Sequence, residues 1–145
     1  MFRRLLVMSA VASLAAVGWV SGAGTASAAP ASSGHAAARL STVHPNAPGD
    51  YFEWSIPGAA ARFYPYGEVL WARDTAADGH HVEVYYYTSN NSNVRVLKDY
   101  DGNGTHATAN LSIPESGWIT VDACVAEGSS LLSCTGWSPY FSANG

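Results

Sequence analysis

The amino-acid sequence predicts an all-β protein, an antiparallel immunoglobulin-like sandwich of about seven strands with one disulfide in the last hairpin. Three observations lead to this prediction. Apolar and polar residues alternate with a period of two in four consecutive segments between residues 81 and 126, as in half-buried antiparallel strands. Clusters of Gly, Asn, Asp and Pro separate these segments at intervals of about 10 residues. No stretch after Ala29 shows a helical repeat.

The first 28 residues have the order of a secretory signal peptide. A basic start, Arg3-Arg4, is followed by the charge-free apolar run from Leu5 to Val20 and by Ala26-Ser27-Ala28, a processing site of the A-x-A type. The apolar run is shorter than the roughly 20 residues of a membrane-spanning helix. We therefore expect cleavage after Ala28 and a secreted, extracellular protein that has no membrane anchor once the signal is removed.

Residues 29–50 are rich in Ala, Ser, Pro and Gly and show no apolar pattern. Pro30, Pro45 and Pro48 would interrupt a regular element. The composition predicts a disordered leader here, followed by a single β-sandwich domain over residues 51–145.

Seven segments of this domain are predicted as strands. They lie at residues 61–66, 68–74, 81–87, 94–96, 106–113, 119–126 and 131–141. Each of the four clearest segments has one apolar face, for example Val94 and Val96 around Arg95. Pro139 suits the edge position expected for the last strand.

The only two cysteines, Cys124 and Cys134, are predicted to form a disulfide, because both lie in the part expected to be exported. If they face each other across a hairpin, Gly128-Ser129-Ser130 is left as a three-residue loop. The alternation places Cys124 on the polar face of its strand. The bridge would then join the strands of an exposed hairpin outside the core.

The chain is acidic, with 7 Lys and Arg against 11 Asp and Glu. Loss of Arg3 and Arg4 with the signal leaves five cations against eleven acids, a formal charge of −6. Nucleic acids and anionic lipids are bound by clusters of Lys and Arg, so neither is an expected partner. We expect a monomer that binds an unidentified extracellular ligand or protein.

Asp99, Asp101 and Asn103 precede Gly104 with the spacing of the first half of a calcium-binding loop. Position 12 of that loop is Asn110, where a bidentate Glu is needed. Asp-Gly and Asn-Gly are also the commonest two-residue hairpin loops. The favoured interpretation is a turn, with a weak calcium site as the alternative, and no other cofactor is expected.

Catalysis has no recognisable motif: neither G-x-S-x-G nor H-E-x-x-H occurs. The predicted disulfide also removes both thiols as nucleophiles. The sequence therefore favours a protein that is not an enzyme. Four acids that could converge in space keep an enzyme as a third possibility. They are Glu68, Asp74, Glu83 and Asp122.

The candidate binding residues lie on one face of the 81–87 strand, opposite an apolar set that fills the core. They are His81, Glu83, Tyr85 and Tyr87. Exposed rings on a sheet face suit binding of carbohydrate or of a protein partner, whereas rings that cover a second layer would be structural. These residues predict a non-catalytic binding or interaction module. The alternative is an inhibitor of a secreted hydrolase, with the loop between Cys124 and Cys134 as bait.

The whole chain resembles the small secreted proteins of high-GC actinobacteria that have no assigned function. The resemblance rests on the Arg-Arg start, the Ala-rich signal, the segment Asp74 to His80, the turn entry Ser112-Ile113-Pro114-Glu115 and the late Ala123-Cys124 and Ser133-Cys134 pair. It implies export and a compact β domain, and it assigns no chemistry to any residue.

Overall fold

A computed structural model describes residues 37–42 and 48–144 of the chain. The predicted signal peptide, residues 1–28, lies outside the described residues, as does most of the predicted leader. The part of the chain that the structure describes is built of strands and turns, without a helix. It therefore holds no helical segment with the length and hydropathy needed to cross a bilayer.

Ten strands make up the described part of the chain. They are β1 (Arg39–Thr42), β2 (Phe52–Ile56), β3 (Ala59–Tyr64), β4 (Val69–Asp74), β5 (His81–Thr88), β6 (Asn91–Asp99), β7 (His106–Asn110), β8 (Trp118–Glu127), β9 (Ser130–Cys134) and β10 (Phe141–Ser142).

The strands form two antiparallel sheets that enclose one apolar core. Sheet 1 has the order β1-β2-β3-β4-β7, and sheet 2 has the order β10-β8-β5-β6, with β9 also paired to β8. The inner faces of both sheets supply the core, which includes Phe63 and Leu70 from sheet 1 and Val84, Ile119 and Val121 from sheet 2. The prediction of an all-β antiparallel fold is confirmed.

The turn between β2 and β3 requires glycine at position 58. Gly58 has a φ of +92°, which L side chains rarely adopt, and a Cβ there would lie 2.9 Å from Cγ2 of Val125 on β8. The bare backbone therefore lets the end of sheet 1 approach sheet 2 closely.

The described part contains ten strands instead of about seven. Strands β1 and β2 account for two of the additional three. β1 pairs with β2 through Arg39 opposite Ser55 and Thr42 opposite Phe52, so the prediction of a disordered leader is wrong for residues 39–42. Composition did not predict β1, because a four-residue edge strand needs little apolar surface of its own when a neighbouring strand supplies hydrogen-bond partners for its backbone.

The third additional strand arises because the predicted last strand, 131–141, is interrupted. Residues 135–140, hereafter the C-terminal segment, are irregular and separate β9 from β10. The segment still follows the edge of β8, since the Thr135 N–H donates to Ala123 O at 2.9 Å and the Ser138 N–H to Val121 O at 2.8 Å. Pro139 has no N–H to continue this ladder.

The disulfide between Cys124 and Cys134 is confirmed, and the two residues face each other in the β8–β9 hairpin. Two details differ from the prediction. A bulge between Val125 and Ala126 shifts the register, so Glu127 pairs with Ser130 and the loop has two residues. Cys124 is also fully buried, so the bridge does not lie on an exposed surface.

Candidate functional site

The alternation of β5 divides its side chains between the core and the outer face of sheet 2, as predicted. Val82, Val84 and Tyr86 are buried in the core. On the outer face, however, His81 and Glu83 are also buried, with Glu83 only 3% exposed. The expectation that these two side chains are exposed is wrong, because partners on neighbouring strands cover them.

The Glu83 carboxylate is the centre of a hydrogen-bonded network on this face. Lys98 Nζ on β6 donates to Oε1 at 2.6 Å, and the Tyr85 hydroxyl donates to Oε2 at 2.6 Å. His81 Nε2 lies 3.2 Å from Oε1. The His81 ring stacks under the exposed ring of Tyr100, with centroids 4.5 Å apart.

The network shifts the ionisation of its members. Burial alone would raise the pKa of Glu83, but the hydrogen bonds donated by its three partners outweigh burial and hold the pKa below its usual value. The hydrogen bond to Glu83, together with burial, raises the pKa of Tyr85. Glu83 is thus held as a carboxylate, and this end of the outer face is a closed ion-pair network.

The other end of the outer face carries a cluster of four aromatic rings. Tyr87 on β5 lies at its centre, with centroid distances of 5.8 Å to Trp118 and 5.0 Å to Trp137, both edge-to-face. Trp118 in turn lies 4.0 Å from Tyr140. Trp137 and Tyr140 remain 46% and 63% exposed, so two of the four rings keep much of their surface in water.

Strand β6 extends this apolar surface on the far side of β5. Val96 pairs with Tyr85, and Val94 lies two residues earlier on the same strand. The two valines are 44% and 56% exposed. Alternation identified the two valines as one face but not which face. The pairing with Tyr85 places Val96 outside, and Val94, in the stretch where the register shifts, is placed there by its exposure. Arg95 points the other way, with its guanidinium 5.6 Å from the ring centroid of Tyr86.

We call this surface the sheet-2 strip. It consists of Tyr85, Tyr87, Val94, Val96, Trp118, Trp137 and Tyr140. It runs across the strands from β6 to the C-terminal segment. Its seven side chains are uncharged, and the acid Asp122 of β8 lies beside them, paired with Tyr85. Exposed apolar side chains that adjoin one another are typical of interaction surfaces.

The C-terminal segment is irregular but firmly attached. The Thr135 hydroxyl donates to Asp122 Oδ1 at 2.9 Å, and the Thr120 hydroxyl donates to Ser138 O at 2.9 Å. Trp54 of sheet 1 donates its indole N–H to Gly136 O at 2.7 Å. The disulfide ends one residue before the segment begins. These contacts hold the backbone that presents Trp137 and Tyr140.

The predicted calcium-binding residues are arranged as a turn. Asp99 is buried and accepts hydrogen bonds from the Asp74 and Asp101 amides and from the Thr105 hydroxyl. Asp101 and Asn103 are exposed. Asp99 is therefore used in the loop's own hydrogen bonds, and weak calcium binding stays a prediction.

The four acids considered for catalysis each accept a hydrogen bond within the fold. Glu68 accepts the Ile113 N–H, Asp74 the Ala76 N–H and Asp122 the Thr135 hydroxyl, and Glu83 has the partners given above. Asp122 also lies near the two cysteine sulfurs, but their disulfide leaves no thiolate for a metal.

A recess lies beside β1. The described residues that line it are Ala37, Arg39, Ser55, Ile56 and Pro57.

The sequence identified Tyr85 and Tyr87 but not the residues that are most exposed beside them. Trp137 and Tyr140 lie in the stretch predicted as a regular strand. In such a strand the period-two alternation alone would have assigned the face on which each side chain lies. The sequence signal for both residues is Pro139, which lies between Trp137 and Tyr140. Proline interrupts the hydrogen bonds between strands, so the residues around it need not keep strand geometry.

Comparisons with protein-family models, with curated proteins and with solved structures find no match.

Proposed function

We propose that the protein is a secreted, non-catalytic extracellular binding module and that the sheet-2 strip is its binding surface. One observation carries the proposal: Trp137 and Tyr140 stay 46% and 63% exposed on a segment that the fold holds in place. Two large rings in water forgo the stabilisation that burial would give them, and a fixed segment lowers the entropy lost when a ligand binds.

Export is supported by the signal-peptide pattern of residues 1–28 and by the disulfide, since disulfides persist in oxidising compartments. The partner is an extracellular ligand or protein that does not need basic contacts, because the strip has no cation. We expect neither nucleic acid nor a membrane as partner, and we expect the protein to act as a monomer.

The first test asks which surface binds. The protein, with its disulfide intact, is immobilised and incubated with two probes, the proteins of the producing culture's supernatant and its cell-wall polysaccharides. A strip variant, Val96→Lys with Tyr140→Ala, should lose capture of the bound probe. Tyr66→Ala removes an exposed ring from the β3–β4 turn and should retain it. Equal capture by both variants would contradict the strip as the binding surface.

The alternative, an inhibitor of a secreted hydrolase, is favoured by one feature of the β8–β9 hairpin. Leu131 and Leu132 are both about half exposed beside the disulfide, at 47% and 50%, because the bulge in this hairpin breaks the alternation. A two-residue loop braced by a disulfide is a rigid element that could enter an apolar pocket.

The inhibitor hypothesis predicts that the parent protein lowers the activity of secreted proteases and that Leu131→Ser with Leu132→Ser abolishes the effect. The strip variants should still inhibit. Inhibition that depends on Tyr140 and not on the two leucines would instead assign the effect to the strip.

A further inference from the structure

We infer that the ligand of the sheet-2 strip is a neutral polysaccharide, an inference that rests on the proposed function. The inference begins with the charge of the surface. The seven side chains of the strip are uncharged, and the charged group beside them is the acid Asp122, which pairs with Tyr85. The cation beyond the end of the strip, Lys98, is held by the buried Glu83 carboxylate at 2.6 Å. A polyanionic glycan needs cations that this surface does not offer, so a neutral polymer is the complementary ligand.

The arrangement of the rings suits a sugar. Tyr140 packs one face against Trp118 at a centroid distance of 4.0 Å and is 63% exposed. Trp137 contacts Tyr87 edge-to-face and is 46% exposed. Each exposed ring is thus fixed on one side and open to water on the other. An open aromatic face attracts the C–H groups of a pyranose ring, and it supplies apolar contact area at low conformational cost.

The shape of the strip favours a polymer over a small molecule. Small ligands bind in concave pockets that bury most of their surface, whereas the strip lies on an open sheet face. It crosses β6, β5, β8 and the C-terminal segment, and neighbouring strands lie about 5 Å apart, which gives a length of roughly 15 Å. A polysaccharide has repeated flat units that can contact rings placed along such a line.

Neutral hydrogen-bonding groups flank the strip at the start of β6, where the register with β5 shifts. Asn91, Ser92 and Asn93 precede Val94 and are exposed, and the Asn91 side chain orders this stretch by accepting the Asn93 N–H at 3.1 Å. Amide and hydroxyl groups exchange hydrogen bonds with sugar hydroxyls without requiring a charge on either partner. The surface therefore combines flat apolar contacts with neutral polar ones.

The test measures binding of the disulfide-intact protein to microcrystalline cellulose, chitin and starch granules, with polygalacturonate and alginate gels as acidic probes. Trp137→Ala should weaken retention on at least one neutral polymer by about tenfold or more, as loss of a central aromatic anchor does. Trp137→Phe should recover part of it. Tyr66→Ala, the matched exposed-ring control, should bind like the parent. Melting curves confirm that each variant is folded.

The outcomes separate the ligand class from the binding surface. Trp137-dependent binding to a secreted protein, or Trp137-dependent self-association in sedimentation, would overturn the polysaccharide while leaving the strip as the interface. Binding only to the acidic polymers, weakened by salt, would overturn the neutral ligand. Failure of the three neutral polymers to bind would also overturn it. Binding of any probe that is unaffected by Trp137→Ala would overturn both the ligand and the proposed function.

Discussion

The outer faces of the two sheets both carry aromatic side chains, yet they use them in opposite ways. Sheet 1 has a row of four rings in contact, with centroid distances of 5.3 Å between Tyr51 and Tyr64, 4.9 Å between Tyr64 and Trp71, and 3.7 Å between Trp71 and His106. The first two pairs are tilted and the third is stacked. Arg62 covers the Tyr51 end at 4.4 Å. The tyrosines and the tryptophan of this row are half-buried.

The sheet-2 strip instead ends in two rings that are left in water. The difference lies in what supports the rings. Tyr64, Trp71 and His106 of sheet 1 lie on the regular strands β3, β4 and β7, and Tyr51 directly precedes β2. The spacing of the strands brings each ring against the next. Trp137 and Tyr140 stand on an irregular segment that is attached through its backbone and through Thr135 and Ser138. Aromatic side chains are therefore packed against one another on the outer face of sheet 1, whereas two of those on sheet 2 keep much of their surface in water.

The disulfide should give the largest effect. Replacing both cysteines, Cys124→Ala with Cys134→Ala, should lower the free energy of unfolding by up to about 3 kcal/mol. Hydrogen exchange should show lost protection first in the C-terminal segment, while sheet 1 stays protected. A uniform loss of protection across both sheets would mean that the disulfide does not act locally on the sheet-2 strip.

Trp71→Ala should remove the middle of the sheet-1 row and cost about 2 kcal/mol, measured by chemical unfolding, because a half-buried ring with neighbours on both sides is lost. Binding through the sheet-2 strip should not change. A loss of binding without loss of stability would reverse the roles assigned to the two faces.

The Glu83 network should give a pH-dependent effect. The pKa of Glu83 is lower in the folded protein than in the unfolded chain, so its carboxylate stabilises the fold above the usual pKa, and this contribution is lost as the pH falls through the lowered value. The difference in melting temperature between parent and Glu83→Gln should therefore shrink from pH 7 towards pH 3.

Asp122, on the same face, is the matched control for Glu83. Burial raises the pKa of Asp122 despite hydrogen bonds from Thr135 and the Gly136 backbone. Its favourable contribution is thus present at low pH and lost as the pH rises through the raised value. Asp122→Asn should gain stability relative to the parent as the pH rises. If Glu83→Gln and Asp122→Asn change in stability relative to the parent in the same direction with pH, these local contacts do not determine how stability depends on pH.

Tyr87→Ala should have a mixed effect, because this ring is half-buried at the centre of the strip. A cost of about 1 kcal/mol in the melting analysis and a loss of binding are both expected. Tyr85→Ala should cost a similar amount, since it also removes a donor to Glu83. If both variants melt far below the parent, these two rings belong to the structural layer and the binding surface shrinks to Trp137 and Tyr140.

Trp137→Ala should have the smallest effect on stability, within about 0.5 kcal/mol, because exposed side chains away from the core contribute little. Thermal melting followed by far-ultraviolet circular dichroism measures it. A loss as large as that of Trp71→Ala would mean that the segment depends on this ring for its own fold, and the contrast between the two faces would fail.

The period-two pattern predicted the fold class and the inward face of β5, because alternation reports directly on a sheet with one buried side. It could not predict that Val94 and Val96 are exposed, since either face of an edge strand can be apolar. The pairing with Tyr85 decides this for Val96, and the structure shows Val94 exposed where the register shifts. The burial of Glu83 depends on Lys98 from another strand, and no local pattern contains that contact.

The cysteine spacing predicted the disulfide and the start of the hairpin register. The cysteine spacing could not predict the bulge after Val125, because a two-residue loop and a three-residue loop both fit the same separation of the cysteines. Trp137 and Tyr140 were missed as site residues because their exposure depends on hydrogen bonds to Asp122 and Thr120, which lie more than ten residues earlier in the chain.

Strand β6 also bears on the colloidal behaviour of the protein. Among the described strands it pairs with β5 alone, and it combines an open row of backbone groups with the exposed side chains of Val94 and Val96. Such an edge is a template on which copies of a protein stack and precipitate. Two of the chain's 7 Lys and Arg, Arg95 and Lys98, lie on this edge. The Lys98 charge is paired with Glu83, so Arg95 is the charge that opposes the approach of a second β6, as charged side chains on edge strands do.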